Sequence, residues 1–481
     1  MPGTQTHASR NAAFASVTKE LDLDVREIEG EIPEDLTGTL YRNGPARWDG
    51  GNYHAGHVFD GDGMLAQFVF SGGELHYRNR FVRTPRYRTI SQNGAVRGVG
   101  TDRPGGPLAN AGRLPADRAN THAVLHADRL LAVSDDGRPW ELDRDTLETL
   151  GRYSYGGALS PLSLFSPHPR IDPVTGEMFN FGLAPVLRPR PRIPAGLRCY
   201  RISPSGRMDR LASVPLDHVH INHDFTITDR HLVFVLAPIV VEPIKAIQAM
   251  LGLRTIESAT EYRPELGTKV ILVPRDGSKP RTVECPGFAY VHLNNAYEDR
   301  GDVVIDLMRY DGWDAISGAV RDFRTTDQLT IGAKLTRVRV TSTDRVVLED
   351  LSDLRGEFPQ HDWRRTGRAH RHGWFVGALP GDAPIPALIG VDHASETQEH
   401  YEFAAQDMPG EPLFVPRHDD ASENDGWIVN VVYLGDEHRS SLQIFDARNL
   451  PAGPVAVARL PHHTFPGFHG SFTTRVARPT G

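Results

Sequence analysis

Met64-Leu-Ala-Gln-Phe-Val-Phe-Ser71, then Gly72-Gly73, then Glu74-Leu-His-Tyr-Arg-Asn-Arg-Phe-Val82: two β-rich runs are separated by a two-residue glycine turn. Side chains on a strand alternate between faces, and a two-residue Gly connection between such runs selects an antiparallel hairpin. The same pattern spreads outward along the chain. Upstream, His57-Val-Phe59 enters Asp60-Gly-Asp-Gly63. Downstream, Leu130 to Ser134 turns at Asp136-Gly137 into Pro139 to Leu142, and Cys199 to Ile202 turns at Ser205-Gly206 into Met208 to Val214. Lys269 to Pro274 precedes Asp276-Gly277, and Trp427 to Leu434 is followed by Ser441 to Phe445.

This rhythm has no helical crossovers, linker or low-complexity break. Radial repetition of four-stranded units disposes of the edges that so many strands would otherwise expose. The expected fold is therefore all-β, a seven-bladed β-propeller with loops and short helices collected as a cap on one face. The expected layout is a flexible tail over residues 1–14 and a single propeller domain over residues 15–481. A tandem of β-sandwiches is the competing architecture.

Bulk composition agrees with short strands and many turns: 46 Gly and 36 Pro accompany a modest 39% of apolar residues. A net charge of −8 with interspersed signs gives no electrostatic case for nucleic acid. Cys199 and Cys285 stand alone, outside any CxxC, which fits a reducing cytoplasm and no disulfide framework. No apolar run reaches membrane-spanning length. One stretch departs from the strand rhythm, Leu232 to Leu253. Pro243 is placed to open a short helix, with Ile244, Ile247 and Leu251 on one face and Met250 and Leu253 nearby. It reads either as a helix packed on the propeller or as an apolar lip of a substrate tunnel, touching a membrane surface peripherally. Nothing in the sequence fixes an oligomeric state.

Among 22 histidines, four sit in phrases that constrain an imidazole. His168 lies between Pro167 and Pro169; His223 follows Ile221-Asn222 and opens a β-rich run; His292 follows an apolar run and precedes Asn294-Asn295; His469 follows Gly467-Phe468. Each is expected near a strand end, where inner propeller strands approach the axis. An all-imidazole shell accepts several metals, and nearby carboxylates should take the outer ring N–H groups. Phe165, Phe225 and Phe465 lie close by in sequence, as tunnel walls or as core. His370-Arg-His372 and His462-His463 read as exposed loop histidines.

These phrases, together with Leu40-Tyr-Arg-Asn-Gly-Pro45, Phe59-Asp-Gly-Asp-Gly-Met64, Pro139-Trp-Glu-Leu-Asp143 and Glu411-Pro-Leu-Phe-Val-Pro416 before Asp425-Gly-Trp427, run in order along the chain. In that order they resemble the carotenoid cleavage oxygenase family. The resemblance implies a seven-bladed propeller holding Fe(II) on His168, His223, His292 and His469. It implies second-sphere carboxylates at Glu357 and Glu411, and at Asp135 where the family has glutamate. It also implies oxidative cleavage of a hydrophobic small-molecule alkene by O2, with no side-chain nucleophile. The 4-hydroxystilbene branch holds its phenol with a Tyr and a Lys; here the Lys position is Ser134 and the Thr89 to Gly100 loop has no Tyr. A carotenoid or apocarotenoid is therefore expected over a stilbene or phenylpropanoid. Two other classes predict different behaviour: a facial-triad iron oxygenase built on His126-Ala-Asp128, and a propeller used only as a binding platform.

Overall fold

Gly72 and Gly73 take φ of +59° and +76°, as a two-residue turn between twisted antiparallel strands requires, and Ser71 pairs with Glu74 across the hairpin. This is seen in a computed structural model that describes residues 8–93, 101, 118–161, 163–184, 195–255, 257–321, 323–325, 332–381, 384–464 and 467–478.

Among the described residues the strands group into seven blades around one axis. From the axis outward, blade 1 holds His469–Thr473, Gly38–Arg47, Asp62–Ser71, Glu74–Phe81 and Asp22–Asp24. Blade 2 holds His122–His126, Arg129–Val133, Trp140–Leu142 and Thr149–Arg152; blade 3 holds Arg170–Ile171, Met178–Ala184, Ala195–Ile202 and Met208–Leu216. Blade 4 holds Thr226–Ile227, His231–Leu236, Thr268–Pro274 and Arg281–Cys285. Blade 5 is Ala289–Asp299, Asp302–Tyr310, Ala333–Val340 and the start of the long strand Val346–His361. The end of that strand opens blade 6, followed by His372–Leu379, Ile385–Asp392 and Thr397–Glu402. Blade 7 holds Leu413–Pro416, Gly426–Leu434, Arg439–Asp446, Pro454–Arg459 and Ile28–Gly30.

The ring closes through both chain ends. The C-terminal strand pairs with an N-terminal one, Asn43 opposite His469; near the N-terminus, Ile28 pairs with Ala458 at the rim of blade 7. Each blade is too thin to bury its own apolar faces, so the core is distributed between blades. Leu40 and Phe68 of blade 1 meet Val429 and Leu442 of blade 7; Phe181 of blade 3 meets Phe225 and Phe234 of blade 4; Trp374 of blade 6 meets Phe414 and Ile428 of blade 7. Loops from blades 1 and 5 meet across the axis, where Phe14, Trp48 and Phe323 pack edge-on and tilted at 5.2–6.0 Å.

The expected tail needs a correction. Ala12–Phe14 forms a 3-10 turn whose Ala13 and Phe14 are buried, because Phe14 fills the gap beside Trp48. The unstructured reading therefore fails over those residues, and residues 1–7 lie outside the described ones.

Candidate metal centre

Every blade delivers one polar side chain to the axis at or beside its innermost strand. His469 opens blade 1's inner strand, His122 opens blade 2's, and His168 and His223 lie two and three residues before the first residues of those of blades 3 and 4. His292 lies within that of blade 5, Glu357 within that of blade 6, and Glu411 just before that of blade 7. The four histidines singled out in the sequence converge: each offers a ligand atom, and these atoms lie within 4.8 Å of one another. His168, His292 and His469 are buried, and His223 is partly open.

Three rings are held from behind by carboxylates. His292 Nδ1 donates to Glu357 Oε2 at 2.6 Å, His469 Nδ1 to Glu411 Oε1 at 2.8 Å, and His223 Nδ1 to Asp135 Oδ2 at 2.9 Å. An Nδ1–H so engaged puts the Nε2 lone pair on the opposite edge, aimed inward. His292 Nε2 is buried without a hydrogen-bond partner, and His168 Nε2 lies 2.9 Å from His223 Nε2. Convergent, unprotonated imidazole nitrogens backed by carboxylates are the donor set of a late first-row divalent metal. Burial and the neighbouring imidazoles push the pKa values of His168 and His469 well below the usual histidine value. At His223 burial acts in the same direction, but the Asp135 charge and hydrogen bond outweigh it and raise the pKa.

The three carboxylates differ in setting. Glu411 is 2% exposed and also receives Arg42 Nη1, Gln360 Nε2 at 2.7 Å and the Gly470 N–H at 3.2 Å. Glu357 is 16% exposed and accepts from Tyr310 Oη at 2.9 Å and the Phe358 N–H at 2.7 Å. Asp135 is 54% exposed. Its shorter side chain still reaches His223 directly, with no bridging water needed. Phe358 has φ +58° beside a bulge between Glu357 and Gln360. Such local strain re-aims side chains; here Glu357 faces His292 and Gln360 faces Glu411, while the Phe358 ring stacks on His292 at 5.5 Å.

Other expectations fare differently. Phe165 and Phe225 have 0% exposure inside inter-blade clusters, so their surfaces face packed core and no water-accessible tunnel. Phe465 and the Met250 side chain lie outside the described residues. The helix forms as Pro243–Met250 with proline in its first turn, and Ile244, Ile247, Leu251 and Leu253 are 73, 52, 50 and 56% exposed. His370, read as an exposed loop histidine, is buried against Asp306 and Asn295, and His462 is partly buried against Tyr77 Oη. The His126 ring meets the Gly176 carbonyl at 3.0 Å, away from the cluster.

Sequence reasoning passed over His122, Tyr310, Gln360 and the reach of Arg42. His122 spans the carbonyls of Pro167 at 2.8 Å and Gly470 at 3.2 Å, tying together the segments that carry His168 and His469. Arg42 lies inside the Leu40–Pro45 phrase and Gln360 three residues after Glu357, whereas His122 and Tyr310 carried no local signal.

The model of the retinal pigment epithelial membrane protein family matches residues 14–474. The chain belongs to the carotenoid cleavage oxygenase family. Within this family it is 33% identical to the apocarotenoid-15,15'-oxygenase of Synechocystis, covering 95% of both chains. It is 30% identical to the isoeugenol monooxygenase of Pseudomonas nitroreducens, covering 95% of this chain and 96% of that one. The crystal structure of cobalt-substituted Synechocystis apocarotenoid oxygenase superposes with a TM-score of 0.86 at 32% identity, covering 97% of this chain and 98% of that one. Family membership makes the protein an oxygenase of the alkene-cleaving kind, and the binding-platform reading falls. Among the described residues no helix is long and apolar enough to cross a membrane.

Proposed function

We propose that this oxygenase uses ferrous iron and O2 to cleave one carbon–carbon double bond of a carotenoid or apocarotenoid, giving aldehyde or ketone products. The carrying observation is the convergence of His168, His223, His292 and His469 with carboxylates behind three of them. These four would hold the ion. When bound, ferrous iron supplies the one-electron chemistry that lets ground-state O2 react with an electron-rich alkene. In the balance, one C=C and one O2 become two C=O groups.

The residues around the site position and exclude rather than transfer protons. Asp135, Glu357 and Glu411 are each engaged by a ring N–H, so they fix tautomers and do not act as general bases. Phe358, against His292 and His469, shields two ligands from water. Specificity then rests on which double bond the pocket presents to the metal.

Two features favour an isoprenoid. Ser134 occupies the place where phenol-binding relatives carry Lys, and its hydroxyl is spent on Asp136 Oδ1 at 2.6 Å; a buried phenol would lack that partner. The exposed Ile244, Ile247, Leu251 and Leu253 form an apolar surface suited to a membrane from which such a substrate would be drawn. The similarity to isoeugenol monooxygenase favours a second reading, cleavage of a phenylpropanoid or stilbene. The deciding experiment offers the anaerobically iron-loaded enzyme apocarotenals, β-carotene, resveratrol and isoeugenol in turn, then O2, with carbonyl products identified by mass. Cleavage of the phenolic compounds alone would overturn the isoprenoid assignment.

A further inference from the structure

We propose that Arg42 sets the charge of the metal centre and so holds bound iron in the ferrous state; this rests on the ferrous reading above. Arg42 and Glu411 are 3% and 2% exposed and form an ion pair through Nη1 and Oε2. The other oxygen of Glu411 accepts His469 Nδ1 at 2.8 Å. The guanidinium is therefore one carboxylate removed from a ligand ring, in a region where screening by solvent is weak. Its Nη2 also bonds the carbonyl of Phe468, the residue before that ligand, at 3.3 Å.

The backbone is arranged to admit it. Arg42 lies opposite Gly470 across the ring-closing pair of strands, and a Cβ at position 470 would come within 2.8 Å of Arg42 Cδ. The glycine after His469 thus lets an arginine side chain pass beside the ligand strand.

The charges around the four neutral imidazoles can be counted. Asp135, Glu357 and Glu411 contribute three negative charges. Asp224, 3.9 Å from His168 Nδ1, is cancelled by Arg170, whose Nη2 lies 3.0 Å from both its oxygens. Glu357 is supported by a neutral phenol, Tyr310, and Asp135 is bonded by His223. Among the described residues Arg42 is the cation paired with the three ring supports, and it brings their sum to minus two. That total balances a divalent ion and leaves a trivalent ion one positive charge in excess. Without Arg42 the balance moves to the ferric state. The closed propeller centre is what makes the single charge count: in a low-dielectric interior an unbalanced charge is costly.

The test is an anaerobic redox titration of iron-loaded protein, followed by the ferric paramagnetic resonance signal. Arg42→Met is expected to raise the ratio of ferric to ferrous affinity on the order of tenfold, for one charge about 10 Å away at an effective dielectric near 20. A tenfold change lowers a one-electron midpoint potential by about 59 mV. Arg42→Lys, which keeps the charge and loses the fork, should stay near the parent potential. The double variant Arg42→Met/Glu411→Gln returns the sum to minus two and should also stay near it. This double variant serves where the lone methionine leaves Glu411 unpaired and prevents folding. A parent-like potential in Arg42→Met, or a double variant displaced as far as tenfold, overturns the assignment. Failure of the parent to bind one ferrous ion would instead overturn the iron reading itself.

Discussion

Replacing Asp135 by Asn separates charge from hydrogen bonding at the most exposed of the three ring supports. Asn keeps an oxygen for His223 Nδ1–H, which now lies 2.9 Å from the carboxylate, so the tautomer and ring orientation survive. What is lost is the negative charge. A charge-assisted hydrogen bond exceeds a neutral one by about 1 kcal/mol. With 54% of the Asp135 side chain exposed, water and salt screen the longer-range attraction to the metal. About 1 kcal/mol weakens ferrous affinity roughly fivefold. Glu411→Gln sits at the other extreme: the carboxylate is 2% exposed and its loss strands the buried Arg42, so the penalty should approach 100-fold, the upper end for outer-shell partners. The assay is anaerobic competition between protein and a coloured ferrous chelator, run at low and at 0.5 M salt, with high salt shrinking only the Asp135 effect. Equal losses for the two variants, or a salt-independent Asp135→Asn effect, would mean that exposure does not grade the supports.

Further outcomes follow from the same structure. His292→Ala should abolish stoichiometric iron binding while His126→Ala leaves it intact, because the His126 ring meets a backbone carbonyl away from the cluster; metal content of the purified variants decides between them. Serine at Ile244, Ile247, Leu251 and Leu253 together should reduce cosedimentation with lipid vesicles without lowering the melting temperature, since all four are at least half exposed. Asp407 is pushed up to about 6 from 3.8, by burial first and then by Asp436 and Glu437. The folded state therefore holds its proton to higher pH than the unfolded state, so this contribution is full below the unfolded value and is lost as pH rises toward 6. Asp407→Asn, whose amide oxygen still accepts the Gly435 N–H now at 3.1 Å, should flatten that slope in denaturant titrations and add about 3 kcal/mol of stability at pH 7.

Local sequence determined the strands, because their signals are local. Gly72-Gly73 demanded positive φ and received it, and Pro243 opened a helix where proline's fixed φ and missing N–H are tolerated. The histidine phrases were legible for a related reason: His168 between two prolines and His469 after Gly-Phe sit where short backbone motifs stop or start a strand. Asp135 was readable as a departure by position, though not its direct reach to His223, which depends on how close blades 2 and 4 stand at the axis.

Burial and partnership were decided only in three dimensions. Phe165 and Phe225 stand close in sequence to His168 and His223, yet the segments leading into the inner strands of blades 3 and 4 carry both rings into inter-blade core. His370 looked exposed because its neighbours are polar; Asp306 and Asn295, on two paired strands more than 60 residues away, bury it. Arg42 and Glu411 are 369 residues apart and meet only because the last strand closes the ring against the first. A chain records which backbone it prefers within a few residues, whereas the electrostatic surroundings of a metal centre are a property of ring closure. The sequence by itself therefore determined the blades and the four imidazoles, and the closed propeller decided which charges stand behind them.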